Sequence, residues 1–83
     1  MALACGAAGE FLKDATRKSA DVFLTGEMRF HDALAAEAAG IAVVLPGHYA
    51  TERPGVEDLA SRIGAEFPSI TAWPSRDERD PLR

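Results

Sequence analysis

Five consecutive apolar residues, Ile41 to Leu45, run between Gly40 and Pro46 with β-branched side chains at Ile41, Val43 and Val44. A segment apolar on both faces suits a strand covered on both sides, so it predicts a central strand of a parallel or mixed sheet. The stretch before it, Phe30 to Ala39, is dense in alanine and leucine and predicts a helix, with Gly40 at its C′ position. Two more strand-like runs, Met1 to Cys5 and Asp21 to Leu24, bracket a helical stretch from Glu10 to Lys18 that places Phe11, Leu12 and Ala15 on one face. Beyond Pro46, the residues Val56, Leu59, Ala60, Ile63 and Phe67 recur at helical period, and Pro54 suits the first turn of that helix. Ser69 to Trp73 predicts a final strand stopped by Pro74. Strands alternating with short helices specify an α/β fold: a parallel or mixed sheet of about four strands with helices packed on it. Residues 1–74 form one domain on this reading, and the charge-alternating residues 75–83 form an exposed tail.

Such a sheet needs a core, and the chain has little to build one from. Of its 83 residues 47% are hydrophobic, but 16 are alanine. Domains of this size sit close to the limit at which a disulfide, a metal or a partner is needed. The single cysteine, Cys5, cannot form an internal disulfide. It lies in an apolar strand, where a thiol is expected to be buried and inert. Metal and partner remain. No apolar run approaches the ~20 residues of a membrane span. The segment Met1 to Ala8 lacks a basic n-region and is too short for a secretory h-region. Together with the lone cysteine, this fits a cytoplasmic protein. A net charge of -4 with scattered basic residues, and 7% aromatics, argues against nucleic-acid binding.

Ligands in open α/β sheets collect at the carboxyl ends of strands, which directs attention to three junctions. The third, Gly47-His48-Tyr49-Ala50-Thr51-Glu52-Arg53, sets His48 and Glu52 four apart, on one face of a helical turn. An imidazole and a carboxylate so placed suit a transition metal, and equally suit a solvated turn with Glu52 near a helix N-terminus. The second junction repeats the spacing with Glu27 and His31; there Asp32 is also a candidate helix cap, and Thr25 a candidate for bonding its own turn. The first, Cys5-Gly6-Ala7-Ala8-Gly9-Glu10, is a glycine-bearing turn that matches neither the dinucleotide nor the P-loop spacing. Both histidines of the chain thus lie four residues from a glutamate at a strand end.

In order along the chain, Ala20-Asp21-Val22-Phe23-Leu24-Thr25-Gly26-Glu27, Arg29-Phe30-His31-Asp32-Ala33 and Gly47-His48-Tyr49-Ala50-Thr51-Glu52-Arg53 resemble the motifs of the dinuclear-metal-centre hexameric family, the NIF-three-like proteins, whose members carry the name GTP cyclohydrolase I type 2 homologue. The resemblance runs from about Leu3 to Trp73, with a looser match at Cys5 to Gly9 and a similar ending at Ser75 to Leu82. It implies a C-terminal half of the NIF-three-like fold and two divalent metal ions per intact site, with zinc, manganese, iron and nickel not distinguished. By position, His48 and Glu52 correspond to metal ligands, and Glu27 and His31 to residues of the same pocket in supporting or proton-transfer roles. The activity implied is metal-dependent hydrolysis of a small-molecule substrate, a nucleotide or another phosphorylated compound, by a homo-oligomer, a hexamer in the family. The family's remaining ligands, a His-His pair and an Asp from an N-terminal half, have no counterpart here. The resemblance therefore implies a separate N-terminal half, an isolated module without catalysis that binds metal or forms oligomers, or a truncated fragment of a longer protein without activity of its own.

Overall fold

The computed structural model describes residues 1–82. Two βαβ units share their middle strand. Strand β1 (Ala2–Ala7) leads through a 3-10 turn (Gly9–Phe11) and helix α1 (Leu12–Arg17) to β2 (Val22–Glu27). From there α2 (Phe30–Ala38) leads to β3 (Ala42–Val44), and α3 (His48–Glu66) follows. The strands are parallel and in chain order, with Ala2 opposite Phe23 and Leu24 opposite Val44.

One face of this sheet makes the core. Phe23, almost fully buried near the start of the middle strand β2, packs with Leu12 and Ala15 of α1, Ala36 of α2, and Ile41 and Ala8. Three of those six are alanines, which add little apolar area beyond Phe23, Leu12 and Ile41. Helix α2 ends as its glycine foretells. Gly40 takes φ +72°, its N–H donates to Glu37 O (3.1 Å), and the Ile41 N–H donates to Ala36 O (3.0 Å), a pair that closes the helix and aims the chain into β3.

The carboxyl end of the sheet is held by a buried hydroxyl. Thr25, with no exposed surface, donates to Gly6 O (2.8 Å) and accepts from the Ala8 N–H (3.3 Å). The register of β1 against β2 shifts between Ala4 and Ala7, and Gly6 adopts φ +74° there. Thr25 thus bridges to the neighbouring strand instead of bonding within its own turn.

Several expectations need correction. The sheet has three strands, not about four: Ile70 is drawn into a turn, its N–H donating to Phe67 O (3.0 Å), and residues 71–75 run back along Val56, Ala60 and Ile63 of α3. Helix α3, at 19 residues about 28 Å long, has by then carried the chain away from the sheet edge. The run at Ile41 to Leu45 is consequently an edge strand, with Val44 and Leu45 nearly half exposed. Helix α3 starts at His48, so Pro54 lies inside it, on its exposed side. Phe11 leaves the core, 49% exposed, because the chain is still in its 3-10 turn there and the α-helical face begins at Leu12. Cys5 is exposed, because it points to the sheet face opposite the core. Arg83 lies outside the described residues; residues 75–82 of the tail are mostly exposed but not free, since Ser75 and Glu78 bond to Arg53.

Much of the sheet face opposite the core is uncovered. Leu3 is 67% exposed, and Cys5, Ala42 and Val44 stand open on the same side. No residue of α3 is buried. The accessible surface is 6362 Å², against about 4,800 Å² for a compact protein of this mass. The radius of gyration is 16.4 Å, against about 12 Å for a compact domain of this length. No helix among the described residues is long and apolar enough to cross a membrane.

The Thr25 bridge sets a stability expectation. Thr25→Val keeps the shape and orphans the Gly6 carbonyl and the Ala8 N–H, which costs about 1–3 kcal/mol. Thr25→Ser keeps the hydroxyl and costs about 1 kcal/mol. Urea unfolding of the three chains reads the difference; equal losses in both variants would rule out the hydroxyl as the source.

Candidate functional site

The start of α3 is seated on the end of β2 at a point that leaves little room for a side chain. A Cβ on Gly26 would come within 3.0 Å of Gly6 O and 3.2 Å of the Thr51 hydroxyl. The Gly47 N–H donates to Gly26 O (3.1 Å), and Gly47 takes φ +96°, a left-handed conformation that lets the chain turn into α3. The Thr51 hydroxyl donates back to Gly47 O (2.8 Å), fastening the first helical turn. The Thr-Gly-Glu and Gly-His-x-x-Thr-Glu segments thus interlock through their glycines and their second threonine.

The outcome is a three-residue cluster. His48 Nδ1–H donates to Glu52 Oε1 (2.9 Å) within α3, and Nε2–H donates to Glu27 Oε2 (2.8 Å) at the end of β2. The His48–Glu52 spacing thus forms the predicted pair. Glu27 joins that pair rather than His31, because Glu27 closes a strand while His31 is already in α2, and their four-residue spacing spans no continuous helix. His31 stands apart, its side chain 71% exposed and 3.5 Å from the Asp32 carboxylate. Asp32 makes no capping bond and packs against Gly9, where a Cβ would lie 2.4 Å from its carboxylate oxygen. His31 and Asp32 instead line a cavity of about 380 Å³ with Gly9, Glu10 and Arg29, two residues along the chain from Glu27.

Both ring nitrogens of His48 face carboxylates, which accept only, so the arrangement favours the doubly protonated imidazolium. Its pKa is raised, first by the hydrogen bond it donates to Glu52, then by the one it donates to Glu27, with desolvation opposing. The donor types, one imidazole and two carboxylates, suit zinc, manganese, iron or nickel. Their arrangement does not close a metal site: both lone-pair positions of His48 are turned to protons shared with glutamates, and no group of three or more His, Cys, Asp or Glu among the described residues is arranged to hold a metal ion. The spacing gave no sign of Arg53 and Tyr49, which tie the tail to this end of α3; the only available signal was a basic residue in the Gly47–Arg53 motif and an acidic Glu78 downstream.

Because the His48 pKa is raised on folding, its contribution to stability is full below the ordinary histidine value of 6.5 and is lost as pH rises through the higher folded value. In a metal-free NMR titration, His48 titrates above 6.5, and Glu52→Gln and Glu27→Gln each lower it, the first by more. An unchanged value in both variants would remove the carboxylates as the cause.

The family model described as Duf34/NIF3 (NGG1p interacting factor 3) matches residues 1–81. NIF3-like protein 1 of Mus musculus is 40% identical over 100% of the chain and 22% of its own length. The GTP cyclohydrolase 1 type 2 homolog of Pyrococcus horikoshii is 37% identical over 81% of the chain and 26% of its own. The crystal structure of the Staphylococcus aureus hypothetical protein SA1388 aligns with a TM-score of 0.83 at 28% identity, over 98% of the chain and 28% of that protein. The chain spans about a quarter of the length of these relatives. A family model covering nearly every residue, and a fold shared with a solved relative, place the chain in the Duf34/NIF3 family.

Proposed function

We propose that the chain supplies part of a divalent-metal site, with His48 and Glu52 as ligands and Glu27 beside them, to an assembly whose remaining ligands come from elsewhere. The observation that carries this reading is the His48 imidazole held between Glu52 and Glu27 at the strand ends. Release of the proton on one ring nitrogen would free a ligand atom, while a carboxylate on the other nitrogen fixes the ring, the usual support for a metal-bound histidine. A closed structural zinc site takes four protein ligands and a catalytic one about three, so one chain does not complete a two-metal centre. The uncovered sheet face and the expanded shape support the same reading: a separate N-terminal half or further copies of the chain, up to a hexamer, would cover apolar surface and add donors together.

In the completed assembly the reaction is hydrolysis of a small molecule, a nucleotide or another phosphorylated compound, as the names of the cyclohydrolase-type relatives suggest. The bound ions would supply water activation and charge stabilisation. The chain's own part is to hold ligands at His48 and Glu52, to orient His48 through Glu27, and to offer the cavity at Arg29 and His31 as a polar wall, with His31 available for proton transfer. The cytoplasm suits the single unpaired thiol. A second reading, a metal-binding or oligomer-forming module without catalysis, is favoured by the lack of a closed donor group among the described residues.

Titration of the purified chain with zinc or manganese, followed by assay of GTP hydrolysis, tests both. Weak, substoichiometric binding lost in His48→Ala and Glu52→Ala, with no turnover by the chain alone, is expected. Two tightly held ions per chain with turnover would overturn the partial-site reading. Metal affinity unchanged in His48→Ala would overturn the ligand assignment. Turnover gained on adding the complementary half of a relative separates the enzyme from the inert module.

A further inference from the structure

The C-terminal segment returns to the beginning of α3 and is fastened there by one side chain. Arg53, 19% exposed, directs its guanidinium to three partners. Nε donates to Glu57 Oε1 (3.0 Å) one turn along the helix, one terminal nitrogen donates to the Glu78 carboxylate, and the other donates to Ser75 O (2.7 Å). Glu57 steadies the guanidinium on α3 while the planar fork takes the tail, a geometry that arginine offers and lysine does not. The Tyr49 hydroxyl adds a longer bond to Glu78 O (3.4 Å). Beyond that anchor, Asp80, Pro81 and Leu82 border a cavity of about 270 Å³ whose opposite wall includes Leu45, His48 and Tyr49.

We propose that Arg53 is a positioning residue of the His48 cluster: by clamping Ser75 and Glu78 it seats residues 80–82 as a strap beside His48, making the tail one wall of the site. Arg53 lies five residues beyond His48, and its guanidinium bonds to Glu57, Glu78 and Ser75 rather than to the imidazole, Glu27 or Glu52, so its link to the cluster runs through the strap. The cavity at Arg29 and His31 shares no lining residue with the cavity beside the strap, so the strap does not border it. The seating of the strap is a matter of geometry and stands without metal; only its consequence for chemistry rests on the partial-site reading.

The two histidines allow the test to be made within one molecule. The chain, kept metal-free by a chelator at one fixed pH, is treated with diethyl pyrocarbonate, and modification of His48 and His31 is followed separately by peptide mass spectrometry. Glu27 and Glu52 are intact in every variant, so the hydrogen-bond partners of His48 are constant. Arg53→Ala is expected to speed modification of His48 about three- to tenfold, as for a group exposed by local opening, and to leave His31 unchanged. Arg53→Lys, keeping the charge without the fork, falls between. A chain ending at Pro74 matches Arg53→Ala, and adding Arg53→Ala to it changes nothing more. An unchanged His48 rate in Arg53→Ala, or a further increase in the shortened chain, overturns the proposal. If Arg53→Ala speeds both histidines through loss of fold, Glu78→Gln decides: it cuts the same clamp from the tail side, and His48 alone must accelerate. Failure here leaves the metal titrations untouched, and their failure leaves the strap untouched.

Discussion

The Thr25 hydroxyl is the smallest interaction on which the rest depends. It is buried, it bonds in both directions to the end of β1, and it fixes how the bulged β1 terminus lies against β2. The next residue, Gly26, is where β1, β2 and the first turn of α3 meet at backbone distance. The residue after that is Glu27. Three consecutive positions thus run from fold to site: a hydroxyl sets the register, a hydrogen in place of a side chain admits the helix, and a carboxylate meets the histidine that the helix carries.

Much of this was legible in the sequence, and the residues explain which parts. Gly40 as a helix stop, the α/β alternation, and the pairing of His48 with Glu52 are local facts: each depends on residues within one turn or one junction. The errors are non-local. Ile41 to Leu45 read as central because it is apolar on both sides, yet apolar character reports what a strand is suited to, and here nothing in the described chain lies beyond it. Ser69 to Trp73 has strand composition, but the direction of α3 put it out of reach of any sheet edge. The partnership of Glu27 with His48 joins residues 21 apart. No spacing rule covers it; only the parallel β2–β3 register and the turn at Gly47 bring them together.

The contrast between the two faces of the sheet connects fold to function. On the helical face, alanines let α1 and α2 approach closely around Phe23 at the cost of buried area. On the other, Leu3 and Val44 remain in water. The same chain that leaves apolar surface uncovered also presents an imidazole and two carboxylates without closing a metal site. Uncovered apolar surface and an open cluster of one imidazole and two carboxylates thus occur in one molecule.

The strand edges have a character of their own. Outer strands expose rows of N–H and C=O groups that invite another strand to pair with them. Here β3 is three residues long and is followed by Pro46, while β1 is bulged toward its end. Bulges and very short edge strands discourage lengthwise pairing. The molecule is therefore blunted at its margins and open on its broad side, a shape suited to being stacked upon and ill suited to being extended into a wider sheet.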